Sequence, residues 1–599
     1  MIAQLMDRVT SLSAMWLNRP RLLLGVLIVF ACLLVASTYR YFSVTWDEPE
    51  HLAAGMQLLD KDVYIYDVQH PPVARLAMAL GPYLAGARAF NEPGPSGEQS
   101  GRDLLYKTGH YGEYLFLART GVLPFLALLL WSTWLWSRHL FASNTALLAT
   151  LLLATTPPIL GHAGVAALDI PGTATCMLAL YCLLRWFESQ SWKFALLSGA
   201  ATGLAIATKL SALPFIALVA VAWLPCWWLA RTRTTASAAL SFSRWTGQSI
   251  SIVLVMLICA SLTYSIEFRR FAKPILSSSG WTYLVGNTGW AHDILQVIGG
   301  EVPLPVGFER LVLSIQALLK HNHEGHLSYL LGQFSETGFR DFYLVGLAVK
   351  TPLPLLLLGM AGLILLPLRA YQQHWTQENW TLNKWTLATP TIAFIVVLAF
   401  CSLYSHINIG MRHVFILYPL LSMAAAAFIT TLWRRYQQPL IRIALLCAIG
   451  WQASLLYSAY PDYLPYFNVI AGEHPEHILI DSDLDWGQDV ERLRDRLIEL
   501  RVTEFWFVYR GTIDVIGEGL PGVLMAQPFH PTTGWVAASI YARDTVSQGA
   551  AYGWLKQYTP RERIGKSIDL YYIAESTPES TQEPARNPLP DSQNRRSSP

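Results

Sequence analysis

The chain has 599 residues, of which 53% are hydrophobic and only 14% charged, against roughly 25% charged in an average soluble domain; an ordinary soluble protein is excluded. Its formal net charge is +2, from 43 Lys and Arg against 41 Asp and Glu, and no surface-sized run concentrates Lys and Arg, which argues against nucleic acid as a partner. All seven cysteines (Cys32, Cys176, Cys182, Cys226, Cys259, Cys401 and Cys447) fall inside apolar blocks, a placement at odds with a disulfide framework or a thiolate metal site.

Apolar blocks of about 17 to 25 residues are long enough, at 1.5 Å per residue, to cross a hydrocarbon core of about 30 Å. About eleven occur, near 22–40, 115–137, 144–160, 170–187, 194–208, 211–230, 248–266, 343–368, 387–404, 414–433 and 440–457. The first lacks the small-residue cleavage site of a removed signal peptide and reads as an anchor. With Arg8, Arg19 and Arg21 in the cytoplasm, the same side receives Arg138, Arg185, Lys193, Arg231, Arg233, Arg244, Arg369, Lys384, Arg434, Arg435 and Arg442, as the positive-inside rule requires. The expectation is a multi-pass plasma-membrane protein, a bacterial inner-membrane one, with its N-terminus cytoplasmic.

The opposite, periplasmic face then holds two long loops, about 43–114 and 267–342, and everything after about 458. The loops carry Trp, Tyr, Leu and Ile with helix and turn signals, which predicts short helices at the interface. Residues 458–575 shift to an apolar run at Ile478–Ile480, a helical stretch Val490–Leu500 and strand-like runs at Phe505–Tyr509, Trp535–Tyr541 and Ile568–Ile573, the pattern of a small external α/β domain. Residues 576–599, rich in Pro, Ser, Glu and Arg, read as a disordered tail.

Ionisable residues at the outer edge are the candidates for chemistry. Asp47 and Glu48 stand side by side just outside the first span; a carboxylate at the membrane surface gains basicity from the lowered dielectric, although an acidic cap on the helix opening at Pro49 accounts for the same pattern. His70 precedes Pro71 and Pro72 and an apolar helix over 73–84; it can contact a phosphate or cap that helix. Asp169 opens the fourth span after a turn holding Pro157, Pro158 and His162, a depth at which an acid is costly unless used or paired, and it too can serve as an N-cap. Three cations break the positive-inside pattern: Lys209, Lys350 and Arg412, the last beside His413. A lipid-linked phosphate explains them, as does snorkelling to ordinary head groups.

His321, His323, Glu324 and His326 cluster without a metal-ligand spacing. The run Asp481, Asp483, Asp485, Asp489 starts like a calcium loop, but Trp486 stands where that loop requires Gly and Arg492 where it requires Glu. These acids read as turn and cap residues or acceptor contacts.

Taken together, Asp47-Glu48 after the first span, His70-Pro71-Pro72 before an interfacial helix, Asp169 at an outer helix end and Arg412-His413 late in the membrane region resemble the GT-C glycosyltransferases. The pattern is most similar to the protein O-mannosyltransferase and aminoarabinose-transferase group, and the segments 325–332, 350–352 and 481–489 also look like stretches of a bacterial branch of it. The resemblance implies a membrane all-α, polytopic GT-C-like bundle of about eleven helices spanning residues 1–457, with interfacial helices in the first external loop and the C-terminal α/β domain outside. It implies transfer of a sugar from a polyprenyl-phosphate donor to an acceptor hydroxyl on lipid, glycan or protein. Asp47 would be the general base, Glu48 and Asp169 its catalytic neighbours, and Lys209, Lys350, Arg412, His413 and His70 the donor-phosphate contacts, with His326 as a loop contact. The aminoarabinose-transferase pattern often has Lys where this chain has His70, and the oligosaccharyltransferase Asp-x-Asp motif is replaced by contiguous Asp47-Glu48. No cofactor is required by the sequence, and no motif supports a divalent metal. The competing readings are a transporter or flippase using Asp169 and Lys209 as a mid-membrane pathway, and a non-catalytic membrane scaffold.

Overall fold

In lipid, a backbone run without polar neighbours satisfies its N–H and C=O groups only by closing on itself as a helix, and the computed structural model follows that rule. It describes residues 19–91, 94–232, 242–265, 271–272, 304–375 and 385–574; residues 267–270 and 273–303 of the second long loop and the tail expected at 576–599 lie outside them. Among the described residues, eight helices are long and apolar enough to cross a membrane: Pro20–Tyr41, Tyr111–Leu140, Asp169–Ser189, Ala212–Ala230, Ser243–Thr263, Leu353–Gln372, Trp385–Tyr404 and Pro439–Ser458. A ninth span arises if Ser143–Ala154 and Pro157–Ala163, bent by 65°, count as one; Pro157 and Pro158 can open a helix but not continue one.

The two remaining predicted spans are also helices. Trp192–Ile206 is 15 residues long, and Leu417–Arg435 buries almost all of its first half inside the bundle. The predicted span at 343–368 is corrected to two helices, Phe342–Lys350 and Leu353–Trp375, broken at Thr351. Thr351 precedes Pro352 and is extended (φ −83°, ψ 131°), the conformation that a following proline imposes.

The first long loop folds as three helices, Glu48–Lys61, Pro72–Leu84 and Gly97–Tyr106. Among the described residues of the second loop, the short segments Phe271–Ala272 and Leu304–Pro305 pair antiparallel, and the expected short helices give way to one 19-residue helix, Val306–Glu324, and a hairpin of β1 (Ser328–Leu330) and β2 (Gln333–Ser335).

After residue 458 the 3-10 turns Val469–Ala471, Pro475–His477 and Asp481–Asp483 come in succession, the last two flanking the apolar stretch 478–480, and the helix Val490–Glu499 follows. The sheet comprises β3 (Phe505–Val508), β4 (Val523–Met525), β5 (Gly534–Ser539), β6 (Glu562–Ile564) and β7 (Ile568–Ile573) in the order β4-β3-β5-β7-β6. β3 runs parallel to β4 and β5, with Trp506 opposite Val536, and β7 runs antiparallel to β5 and β6. The strand expected to reach Tyr541 ends at Ser539, where the chain turns into the short helix Ile540–Thr545.

Alternation along these strands sends side chains to two cores. Phe505, Phe507, Ala537 and Leu570, with Leu493 of the preceding helix, join the apolar core that runs through the membrane bundle. Val508, Val536, Ala538 and Tyr571 form a separate cluster on the other face. The C-terminal segment is therefore packed onto one end of the bundle, against the loop that carries Asp47.

Candidate active site

Residues 42–46 run between the first span and the helix Glu48–Lys61, and the C-terminal segment holds them. The Ser43 N–H donates to the Gln488 carbonyl (3.0 Å), the Trp46 N–H donates to the Trp486 carbonyl (3.0 Å), and the Thr512 hydroxyl donates to the Trp46 carbonyl (3.0 Å). Asp47 occupies the N-cap position but its side chain makes no capping bond. Its Oδ2 instead accepts from Arg412 Nη1 at 2.5 Å, across 365 residues of sequence. Asp169 likewise makes no cap: Oδ1 accepts from Lys209 Nζ at 2.6 Å, while Oδ2 lies 3.9 Å from Arg412 Nη1 and 3.7 Å from His162 Nδ1. Asp47, Arg412, Asp169 and Lys209 thus form one chain of charges contributed by four separate segments.

The packing that permits this is specific. Gly172 lies one turn into the helix Asp169–Ser189, and a Cβ there would come within 2.7 Å of the Lys209 Cβ, so glycine lets the lysine stem lie on the helix. Arg412 belongs to the 3-10 turn Met411–Val414, entered through Gly410 at φ +143°, a left-handed conformation in which a Cβ would also collide with Ser482. The Arg412 guanidinium lies over the Trp486 ring, 4.4 Å from its centroid, and Trp486 in turn stands 5.5 Å from the His162 ring.

Several polar atoms here are buried without a hydrogen-bond partner: Asp169 Oδ2, His162 Nδ1, Arg412 Nε and His413 Nε2. Buried polar groups are normally satisfied, and orphans gathered in one place mark a site built for something else. Burial alone would raise the Asp47 carboxyl, but the Arg412 charge and hydrogen bond, with His51, hold it below the usual carboxylate range. Burial would likewise lower Arg412, and the facing Asp47 and Asp169 hold it above its ordinary value. His413 is driven well below the usual histidine value by burial and by Lys209 and Arg412.

Glu48, by contrast, is fully committed. Oε1 accepts from Arg119 Nε (2.8 Å) and the Ala166 N–H (2.7 Å), and Oε2 accepts from Arg119 Nη2 (2.9 Å) and the Thr45 N–H (2.7 Å). Lys350 is also apart from the charge chain. It donates to the carbonyls of Leu464 (3.0 Å) and Asp483 (2.5 Å) over the Phe467 ring, and the Asp483 carboxylate accepts the Met411 N–H. His70 pairs with Asp67 at 2.6 Å, which also pairs with buried Arg75, and its ring is 5.6 Å from that of His51. His326 stacks on His321 at 6.0 Å and donates its backbone N–H to His406.

Sequence reasoning passed over four groups. His162 and Trp486 contact the charge chain. His51 is buried next to Asp47, pushed down to about 3 by burial and Arg75, and Glu50 is pushed up to about 7 by burial and Asp67. The signal available was position: Glu50 and His51 follow Asp47 by three and four residues, one helical turn, and Trp486 lies within the 481–489 run. Asp485 and Asp489 are structural. Asp485 accepts from Ser539 and Tyr541, and Asp489 from Lys566, Ser567 and Arg492. Among the described residues, no group of three His, Cys, Asp or Glu side chains is placed to hold a metal ion.

Residues 116–259 match the family model described as dolichyl-phosphate-mannose-protein mannosyltransferase. No curated protein matches the sequence. Among solved structures, the chain is similar to the protein O-mannosyltransferase complex of S. cerevisiae bound to the sugar donor, with a TM-score of 0.50 at 11% identity, over 74% of this chain and 90% of that one. It also matches ArnT from Cupriavidus metallidurans bound to undecaprenyl phosphate (TM-score 0.45, 11% identity, 91% of this chain and 97% of that one). A third match is the oligosaccharyltransferase AglB of Archaeoglobus fulgidus in complex with an inhibitory peptide and a dolichol-phosphate (TM-score 0.40, 10% identity, 93% and 75%). The fold is that of the GT-C glycosyltransferases.

Proposed function

We propose that the chain is an integral membrane glycosyltransferase that moves a sugar from a polyprenyl-phosphate-linked donor to an acceptor hydroxyl. The observation that carries this reading is the meeting of Asp47, Arg412, Asp169 and Lys209 at one end of the bundle, ringed by unpartnered polar atoms. The family match over 116–259 and the donor or carrier-lipid ligands of the similar structures support it.

Two cations and two carboxylates balance one another, so an arriving phosphate must take a cation from a carboxylate. Arg412 is the group placed to exchange. When the donor phosphate engages Arg412 and Lys209, with His413 Nε2 behind them, Asp47 loses its counter-ion and its basicity rises. Donor binding then switches on the base. The acceptor O–H proton passes to Asp47, the oxygen attacks the anomeric carbon, and the bond from that carbon to the phosphate oxygen breaks with its electron pair on the leaving phosphate. The fixed cations stabilise that charge as it develops. Attack opposite the lipid phosphate inverts the anomeric centre.

In this scheme Glu48 is a positioning residue: through Arg119, Thr45 and Ala166 it fixes the loops before Asp47 and before Asp169. Lys350 braces the Met411–Arg412 turn through Asp483, and His70 orders the Asp67–Arg75 corner next to His51. The face carrying the site is opposite the ends with Arg138, Arg185, Arg434 and Arg435, hence external by the positive-inside rule. The carrier chain stays in lipid while the phosphosugar enters the pocket.

A transport pathway would place paired charges at mid-helix. Asp169 is instead the first residue of its helix, and Lys209 and Arg412 lie between helices. The test is sugar transfer from synthetic polyprenyl-phosphate donors by the purified full chain in nanodiscs, with the product anomer read by NMR. Asp47→Asn is expected to lower kcat by about 10²–10⁴-fold with donor binding retained. Unchanged turnover in that variant, or retention of configuration, refutes the mechanism; no transfer with any donor refutes the assignment.

A further inference from the structure

A cavity of about 510 Å³ is lined by Tyr39, Arg40, Phe42, Tyr111, Gly112 and Glu491, within the roughly 300–1,000 Å³ of pockets that enclose a small-molecule-sized group. Asp47, Asp169, Lys209 and Arg412 do not line it, and no role assigned above uses it. It opens where the first span ends at Tyr41 and the span Tyr111–Leu140 begins. Helices pass from hydrocarbon to head groups at that level, and aromatic residues gather there. Phe116 of its wall is 47% exposed, and Leu33, one turn before the lining residues Ala36 and Ser37, is 66% exposed. An apolar track therefore leads from the cavity along both helices toward the membrane core.

Three charged side chains line the cavity, and two of them are left to meet a ligand. Arg119 engages all five guanidinium N–H groups inside the protein, on Glu48 and on the carbonyls of Tyr39, Phe42 and Ser43. Arg40 is exposed; its guanidinium donates to the Tyr41 hydroxyl at 2.9 Å and pairs with no carboxylate among the described residues. Glu491 is fixed at its helix start by its N–H, which donates to Ser43 Oγ at 2.7 Å. Its carboxylate likewise pairs with no cation among the described residues and faces a second acid, Glu518. Glu518 is 4% exposed, and its Oε1 has no hydrogen-bond partner, Arg494 Nη1 standing 3.7 Å away. Burial, with the Glu491 charge beside it, pushes Glu518 up to about 7. Two acids so placed favour a cation next to them.

We infer that this cavity holds the head group of a zwitterionic membrane phospholipid with a primary ammonium, its phosphate on Arg40 and its ammonium at Glu491. A guanidinium matches phosphate oxygens, and a carboxylate accepts from the three N–H donors of an ammonium. An anionic head group without an amine would bring its phosphate against an unneutralised Glu491, and a quaternary amine has no N–H to donate. The acyl chains follow the track past Phe116 and Leu33. This lipid is a bound partner and not a reactant, so the inference stands apart from the transferase reading.

The test is lipid retention, measured without turnover. The full chain is placed in nanodiscs of equal parts phosphatidylethanolamine, phosphatidylcholine and phosphatidylglycerol, and the lipids that stay on the released protein are counted by native mass spectrometry. One phosphatidylethanolamine per chain is expected, preferred over either other lipid by about fivefold or more, as one partly exposed ion pair supplies. A Cβ at Gly112 meets nothing within 4 Å, so Gly112→Leu extends into the cavity from an open position and should lower retention about fivefold or more at an unchanged melting temperature in phosphatidylcholine nanodiscs. Glu491→Gln should remove the preference over phosphatidylcholine, and Arg40→Gln should lower retention of both zwitterionic lipids. No preferred lipid, phosphatidylglycerol retained as well as phosphatidylethanolamine, retention unaltered in Gly112→Leu, or preference unaltered in Glu491→Gln overturns the inference. Displacement of the phospholipid by one equivalent of undecaprenyl phosphate would make the cavity a carrier-lipid site and overturns it equally.

Discussion

Glu48→Gln is the substitution whose cost the structure specifies most closely. Glu48 and Arg119 are 1% and 0% exposed, so neither charge is screened by water, and the four hydrogen bonds to the carboxylate come from two guanidinium N–H groups and two backbone N–H groups. Glutamine leaves one oxygen to accept and turns an NH2 group toward two donors, whichever way the amide is oriented. Arg119 also donates to the carbonyls of Tyr39, Phe42 and Ser43, so it cannot swing away to water. Removing one partner of such a buried pair costs about 3–5 kcal/mol, because the other charge stays behind uncompensated.

Because Thr45 and Ala166 lead into Asp47 and Asp169, the same change loosens both carboxylates of the proposed site, and a misplacement of about 1 Å can cost about 10²-fold in rate. Equilibrium unfolding in mixed micelles should show the stability loss, and single-turnover transfer the loss of rate. Arg119→Met is expected to lose a similar amount, and the double variant less than the sum by at least ~2 kcal/mol, the signature of a directly coupled pair. A Glu48→Gln protein within about 0.5 kcal/mol of wild type, or an additive cycle, refutes the reasoning.

Gly172→Ala drives a methyl group against the Lys209 stem and is expected to raise the donor KM several-fold with little change in acceptor KM; equal effects on both would contradict the placement of Lys209 at the phosphate. Trp486→Leu removes the ring over Arg412, an interaction of about 0.5–2 kcal/mol, so phosphate-dependent donor binding should weaken by roughly two- to thirty-fold at constant fold, and a binding isotherm that overlays the wild type would exclude that role. Glu50 has a folded-state value raised from 4.5 to about 7. Its protonated form is favoured in the fold, so its stabilising contribution is full below about pH 4.5 and is lost as pH rises through 7. Glu50→Gln should flatten the unfolding midpoint across that window, and an unaltered slope would remove Glu50 as its origin. Asp47 has the opposite sign: held below the ordinary carboxylate value by Arg412, it adds stability above about pH 4 that is lost as pH falls further, and Asp47→Asn should abolish that acid-side drop.

Hydropathy is a local property, and among the described residues it located the eight helices long and apolar enough to cross a membrane, because about twenty residues alone decide whether a segment can lie in lipid. It erred where a local rule competes with it, at Thr351-Pro352, where the proline breaks one expected span into two. The strands Phe505–Val508 and Ile568–Ile573 were legible from their runs of apolar and aromatic residues, whereas the three-residue strands Val523–Met525 and Glu562–Ile564 were not; so short a run holds its place only through its neighbours in the sheet.

The candidate site divides in the same way. The order of apolar blocks and charges is enough to put Asp47, Asp169, Lys209, Lys350 and Arg412 at helix ends on one side. Which of them meet depends on packing. Arg412 reaches Asp47 across 365 residues while Glu48, one residue away, turns to Arg119; Lys350, equally conspicuous in the sequence, is absorbed by backbone carbonyls. The strip 486–488 that pins the Asp47 loop comes from the far end of the chain. Charge partners are set by ångström-scale distance across packed elements, and distance of that kind is not a property of any window of sequence.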